Sequence, residues 1–585
     1  MGPLTGPAAE EMLGDRAPAA PSLFPESRSV MTLFRILLLG TLALVAPASN
    51  TRADEAGPLE VRLLAINDFH GNLEPPAGGI AIRDPANPAG KITVAAGGSE
   101  AMATLVKQKR GEVKNSVFVA AGDLVGASPL LSALFADEPT IESLSLMGLE
   151  ISAVGNHEFD KGVAELLRKQ NGGCSSDRAC LALHPFTGAK FKYLAASTTW
   201  KTNGETIFPA YDVKTFEGIP IAFVGLALKG TPDIVSPSGV AGVEFHDEAA
   251  TVNALVPQLE AKGIRAIVVL IHEGGFPTGD YDECPGISGP IVDIVKKLDP
   301  AVKVVISGHT HKAYDCVIDG RLVTSGDKFG TIVTDVDLKI DRTSKEIVEA
   351  KAHNMIVRTD TLAKDPEQTA LLAAYRKVAG PLIDRPVATV TETIGKTPAP
   401  SGESPLGDLV ADGQLAATRA SDKGGAVIAF TNPGGLRTDL VEKREDGSIG
   451  YGDVFAVQPF SNTLVTLTLT GEQIHRLLEQ QWLDQPKPRI LQVSKGFAYA
   501  WDERKPVGDR VDPASIRLDG APIEAKHRYR VTINSFLADG GDGFKVFREG
   551  RDPIVGMFDV EALELHLKAL GKVAPPPLDR IHRLD

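Results

Sequence analysis

The residues best suited to chemistry fall in five short segments. They are Asn67-Asp68-Phe69-His70-Gly71, Gly122-Asp123, Gly155-Asn156-His157-Glu158-Phe159-Asp160, the lone His272, and Gly308-His309-Thr310-His311. Together they offer imidazole nitrogens, carboxylate oxygens and a side-chain amide, and no thiolate. That donor set suits two divalent transition ions sharing a carboxylate, whereas structural zinc more typically uses a closed, cysteine-rich set. Two neighbouring dications polarise phosphoryl oxygens and lower the pKa of a water. A single Asp-x-His or Gly-His-x-His is more often a turn with a solvated imidazole. Five such segments, holding five of the chain's 12 histidines, are not explained that way. His157 directly follows Asn156, so its ring is expected to face a substrate rather than Asn156's metal. Asp160 can orient that ring and raise its pKa, or it can cap the next helix.

The segments follow short apolar runs: Val61–Ile66, Val117–Ala121, Ile151–Val154, Ala266–Ile271 and Val302–Ile306. Runs without polar alternation read as strands buried on both faces, and Ile219–Leu226 is another. Helix-like stretches lie between several of them: Glu100–Gln108, Thr140–Met147, Thr251–Lys262 and Gly289–Leu298. Gly326–Ile340 alternates and reads as antiparallel strand. The expected fold class is α/β: a layered α/β/β/α or doubly wound core over residues 57–358. In open α/β sheets, ligands bind at the C-terminal ends of the strands, which is where the histidines fall. Residues 359–385 read as a linker helix, capped by Asp365 and stopped by Gly380-Pro381. A smaller mixed α/β domain is expected over 386–585, with Leu464–Leu469 its clearest strand and a helix after Gly471.

That second domain carries no metal motif. It does carry Asn432-Pro433-Gly434-Gly435-Leu436-Arg437, a glycine turn ending in a guanidinium that matches phosphate. Two further motifs are Gln458-Pro459-Phe460-Ser461-Asn462 and Asn534-Ser535-Phe536 through Gly540-Gly541-Asp542-Gly543. Each phenylalanine alone is more often core than clamp.

The metal motifs resemble those of the calcineurin-like metallophosphoesterases. With the C-terminal half, the chain from about Val61 to Arg548 resembles the bacterial periplasmic 5′-nucleotidase / 2′,3′-cyclic phosphodiesterase / UDP-sugar hydrolase family. By that resemblance Asp68, His70, Asp123 and His311 bind one metal ion (zinc, manganese, cobalt or similar). Asp123, Asn156, His272 and His309 bind the other, with Asp123 as the bridge. The resemblance makes His157 and Asp160 the catalytic pair, and has Phe460 and Phe536 sandwich the base. Arg437 then meets phosphate, Asn432 and Asp542 fall at ribose or base, and Asn462 near the base. Stacking tolerates any base. One departure is visible: relatives carry Arg two positions before a Gly-Asn pair, where this chain reads Pro405-Leu406-Gly407-Asp408, and Arg419 is the candidate substitute. With two sites on two domains, a domain rotation about the linker helix is expected. The alternatives are a sulfur-carrier hydrolase on the same scaffold and a non-catalytic secreted binding protein.

Composition agrees. The 585 residues hold 61 Lys+Arg against 75 Asp+Glu, a net charge of −14 with no basic stripe, so a nucleic-acid duplex is not an expected partner while a small anion can still be held locally; small-molecule nucleotides are the partners the resemblance implies. Residues 1–53 read as an extension plus signal peptide, with translation starting at Met31, an apolar run Ile36–Val45 and an Ala-Pro-Ala end. Periplasmic or secreted localisation without a membrane anchor follows from that reading. Four cysteines allow three connectivities; the local pairs Cys174–Cys180 and Cys284–Cys316 are expected in an oxidising compartment.

Overall fold

Apolar runs become strands covered on both faces, and this orders the first half of the chain. The computed structural model describes residues 57–174, 183–442, 444–485 and 487–584. The expected leader and Cys180 lie outside them. Strands β1 (Leu59–Ile66), β2 (Ser116–Ala120), β3 (Ile151–Ala153) and β4 (Lys192–Leu194) run parallel, side by side. In a second sheet β5 (Tyr211–Phe216) is antiparallel to β6 (Ile219–Leu226), and β6 is parallel to β7 (Ala266–Ile271). Next comes β8 (Val302–Ser307), parallel to β7. Beyond it lie β9 (Ala313–Ile318), on the edge, and β10 (Arg321–Gly326), between β9 and β8. The chain then returns to the first sheet as β11 (Ile332–Ile340), antiparallel between β1 and β12 (Ile347–Ile356).

A core that includes Leu63, Val119, Ile151, Phe223, Val268 and Ile306 lies between the two six-stranded sheets. Helices α1 (Ser99–Gly111), α2 (Glu138–Met147) and α3 (Val163–Asn171) cover the outer face of the first sheet. Helices α4 (Glu248–Ala261) and α5 (Pro290–Lys297) cover that of the second. This is the expected α/β/β/α layering. Each buried Leu, Val or Ile contributes about 1.5–3 kcal/mol. The expected Cys284–Cys316 bridge is present, with Cα atoms 5.1 Å apart. Closing that loop stabilises the fold by about 4 kcal/mol on a chain-entropy estimate. Cys174 is also disulfide-bonded.

Helix α6 (Pro366–Ile383) starts where expected, Asp365 accepting the N–H of Glu367 and Gln368. It does not stop at Gly380-Pro381. A proline in the last turn removes one hydrogen bond only, and the Asp384 N–H still reaches Gly380 O at 2.8 Å. The first half of α6 is tied to α2, with Gln368 exchanging two hydrogen bonds with Ser143 and Tyr375 donating to Glu142.

The C-terminal region builds a five-stranded sheet. It holds β13 (Ile428–Thr431), β14 (Thr463–Thr470), β15 (Gln492–Val493), β16 (Arg528–Asn534) and β17 (Arg551–Phe558), with β16 central between β13 and β14. Helix α7 (Pro405–Thr418) is capped by Ser404 and packs on this sheet. Arg419, expected as a stand-in for the missing arginine at Pro405, sits exposed at the far end of α7, about 21 Å along its axis. It does not serve that purpose.

Asp408, on the first turn of α7, is fully buried, with Arg580 Nε 3.5 Å from its Oδ2. Burial, against the pull of Arg580 and aided by Glu403 and Asp412, pushes its carboxyl up to about 9. In the unfolded chain it ionises in the ordinary range, so folding takes up a proton at neutral pH. The contribution of Asp408 to stability is therefore fully present below the unfolded value and is lost as pH rises toward about 9. Asp408→Asn is expected to melt with a smaller drop in Tm between acid and alkaline pH than the parent chain. Equal drops in a thermal-melt series would refute this.

Candidate active site

The C-terminal ends of β1, β2, β3, β7 and β8 deliver all five segments to one place. Five of the seven expected metal ligands hold a left-handed backbone: Asp68, His70, Asp123, His309 and His311. That region is uncommon for residues other than glycine, and strain of this kind concentrates at functional sites. Asp68 is buried and accepts the His309 N–H through both oxygens, at 2.9 and 3.1 Å. Its Oδ1 lies 3.4 Å from His311 Nε2 and 3.8 Å from His70 Nε2. Asp123 Oδ2 lies 2.9 Å from His272 Nε2 and 3.6 Å from His70 Nε2. Asn156 Oδ1 is 3.2 Å from His272 Nε2 and 3.0 Å from His309 Nδ1. All seven are thus brought together.

The donor atoms fit divalent ions. His70 Nδ1 is 2.9 Å from Gly126 O and His272 Nδ1 is 2.8 Å from Ala121 O. A carbonyl only accepts, so each Nδ1 carries a proton and each Nε2 is the nitrogen left facing the centre, the one that would ligate an ion. Among the described residues three donor groups converge closely enough to hold a cation: Asp68-His70-His311, Asp123-His272-His309 and His70-Asp123-His157.

His157 Nδ1 is 2.8 Å from Asp160 Oδ2, while Gly162, not Asp160, occupies the cap of α3. The capping alternative is thereby set aside. Burial pulls the His157 pKa down, but Asp160 and Asp123 outweigh it and the net direction is up. The His157 ring stacks on Phe460, centroids 5.8 Å apart.

From the C-terminal region Arg437 reaches in, its Nη2 3.2 Å from His70 Nε2 and its guanidinium 5.7 Å above the Phe460 ring. A cavity of about 1130 Å³ opens beside these groups, lined by His157, Asp160, Arg437, Phe460, Asn462, Phe536 and Asp542 among others. Asn432 Nδ2 donates to Asp542 Oδ2 at 2.7 Å, and Asn432 Oδ1 accepts from Asn534. Asn462 Oδ1 accepts from Ser535 Oγ. Phe460 and Phe536 are both half-exposed, unlike the core phenylalanines, and both face the cavity.

Three residues here escaped sequence reasoning. The buried Glu158 carboxylate accepts the N–H of Asp123, Leu124 and Gly155 at 2.7–2.9 Å, clamping the loop after β2 to the loop after β3. Asn67 ties Asp68 to the backbone of Gly326 and Asp327. Arg489 holds Asp542 Oδ1 at 2.9 Å. Adjacency to His157 and Asp68 was the available signal for the first two; Arg489 had none.

Comparison with known proteins agrees with this geometry. A family model described as calcineurin-like phosphoesterase matches residues 61–313, and one described as 5′-nucleotidase, C-terminal domain, matches 386–549. The chain is 32% identical over 542 residues to "Endonuclease YhcR" of Bacillus subtilis, aligning 90% of itself but spanning only 42% of that relative's length. It is 30% identical to "Cell wall protein Lmo0130" of Listeria monocytogenes, over 91% of this chain and 70% of that one. Among solved structures, a 5′-nucleotidase precursor from Thermus thermophilus superposes with a TM-score of 0.73 at 26% identity. That match covers 90% of this chain and 100% of the other.

Proposed function

The chain belongs to the calcineurin-like phosphoesterases that carry a 5′-nucleotidase C-terminal domain, and from that premise we propose that it is an exported, dinuclear-metal hydrolase of nucleotide phosphate esters. The observation that carries this reading is the meeting of Arg437 and Phe460 with His70 and His157. Groups suited to a nucleoside phosphate stand against groups suited to two cations.

In this proposal Asp68, His70, Asp123 and His311 hold one ion, and Asp123, Asn156, His272 and His309 the other. When bound, the pair supplies Lewis-acid polarisation of the phosphoryl group and a nucleophilic water at neutral pH. The remaining steps belong to the chain. Arg437 pairs with phosphate oxygens, its planar fork matching their geometry. Asp160 fixes the His157 tautomer through Nδ1, so that Nε2 delivers a proton to the departing ester oxygen. Phe460 and Phe536 stack the base, Asn462 stands near it, and Asn432 and Asp542 meet ribose or base. Arg489 and Asn432 hold the Asp542 carboxylate in one orientation before substrate arrives. If the domains rotate as proposed, the hydrogen bonds that tie the first half of helix α6 to α2 favour a pivot beyond Tyr375. Export rests on the expected leader, on the Cys284–Cys316 bridge and on the naming of one relative as a cell wall protein. Among the described residues no helix is long and apolar enough to cross a membrane.

The test is phosphate release by the metal-loaded protein from 5′-AMP, a 2′,3′-cyclic nucleotide and UDP-glucose. A single-stranded oligonucleotide belongs in the panel because one relative is named an endonuclease, although a net charge of −14 opposes a polyanion. Chelator-sensitive release is expected, fastest from 5′-AMP. Phe460→Ala and Phe536→Ala should each raise KM by about 5- to 150-fold, the worth of one base stack. No release from any substrate, with both ions bound, would overturn the proposal.

A further inference from the structure

Lys328 and Arg437 both stand near enough to Lys396 to repel it, and the two lysines are not among the residues that line the nucleoside cavity. Lys396 belongs to the C-terminal region. Its neighbour Gly395 accepts the N–H of Leu406 at 3.0 Å, which sets Lys396 beside the first turn of α7, next to Pro405. The Lys396 backbone N–H is held by Asp439 Oδ1 at 2.8 Å. Its Nζ donates one hydrogen bond, 3.0 Å to Leu436 O, the carbonyl just before Arg437. Two ammonium protons remain for another acceptor.

Lys328 comes from the N-terminal region, in the loop after β10. Its Nζ stands 5.2 Å from the Phe329 ring centre, and that ring meets His70 and His311 edge-on at 6.0 and 5.8 Å. Arg437 completes the group through its approach to His70. None of the three cations has an ion pair with a carboxylate among the described residues. Burial, then the repulsion of Lys328 and Arg437, push the Lys396 amine down to about 7 against the pull of Asp439. Packing like charges together in a half-buried place is unfavourable unless an anion joins them.

We propose that Lys396 and Lys328, together with Arg437, form a recognition site for the free oxygens of a terminal phosphoryl group, favouring phosphomonoesters over diesters. This rests on the phosphohydrolase reading above. A monoester dianion carries three non-bridging oxygens and a diester only two. The third oxygen and the extra charge are what additional cations can hold. The site draws on both domains, so it is complete only when they are engaged as they are in this structure.

The experiment uses the full metal-loaded chain and inorganic phosphate as the probe, read by calorimetry and by competitive inhibition. Lys396→Met and Lys328→Met are each expected to weaken phosphate binding by about 10- to 100-fold, the usual worth of a charge-assisted hydrogen bond. Lys396→Arg should recover most of the loss. KM for 5′-AMP should rise in parallel with less change in kcat, and KM for a 2′,3′-cyclic nucleotide should rise less. Metal content and melting temperature are measured on the same samples. If one variant fails to fold, the other, from the opposite domain, decides the matter. Phosphate affinity within twofold of the parent in a folded variant would overturn the proposal. A parent that binds phosphate but hydrolyses no nucleotide would sink the functional reading instead, leaving this site standing.

Discussion

Replacing Asp123 with asparagine is expected to leave at most one metal ion per chain and to slow phosphate release by about a thousandfold or more. In the proposed ligand sets Asp123 is the residue shared by both ions, and it belongs to two of the three donor groups. Its Oδ2 faces His272 and His70 from one position, while its Oδ1 is fixed by the His157 N–H at 2.8 Å. Asparagine keeps the shape but loses the negative charge. It also offers an amide N–H₂ where either the His157 N–H or the cations need an oxygen. The surroundings cannot adjust, because a Cβ at Gly155 would stand 2.2 Å from Asp123 Oδ1, and Glu158 pins the Asp123 backbone. Metal analysis of the purified variant and its rate on 5′-AMP are the two readouts. Two tightly held ions in Asp123→Asn would refute the bridging role.

The second large effect is expected at His157. His157→Ala should lower kcat by about 10²- to 10⁴-fold, the range for losing a positioned general acid, while both metal ions stay bound. Retained metal is the decisive part, because His157 also belongs to one of the donor groups, with His70 and Asp123. Its Nδ1 is committed to Asp160, and its ring lies between Phe460 and His70, on the wall of the nucleoside cavity. A proton-delivery role predicts that the loss shrinks when the leaving group needs no proton. The variant should therefore be far less impaired on p-nitrophenyl phosphate than on 5′-AMP. Asp160→Asn should show the same pattern with a smaller loss of about 10- to 100-fold. Equal impairment on both esters, or loss of one metal ion, would make His157 a ligand rather than an acid.

Much of this site was legible before any fold was known. Unbroken apolar runs announce strands buried on both faces. Strand polarity then places whatever follows each run at the C-terminal edge of its own sheet, and the packing of the two sheets brings those edges together. Donor types and their spacing were enough to mark the five segments, because each sits within a few residues of its strand; the resemblance to the calcineurin-like metallophosphoesterases then singled out Asp68, His70, Asp123, Asn156, His272, His309 and His311 within them. The extent of α6 was misjudged because a proline in a last turn is cheap, a matter of position rather than composition.

Other features depend on contacts made only in the folded chain, which spacing does not encode. Arg437 meets His70 across 367 positions. Glu158 shows no sign in the sequence that its carboxylate will gather three backbone N–H groups from two loops. Arg419 looked able to replace a missing arginine until the helix carried it to the opposite end. Nothing in the sequence around Lys396 marks it; the Gly395–Leu406 hydrogen bond sets it beside Pro405. Local pattern determines which residues leave a strand, and where. Which charges then face one another is decided by how sheets and helices pack, because electrostatic proximity is a property of the folded chain.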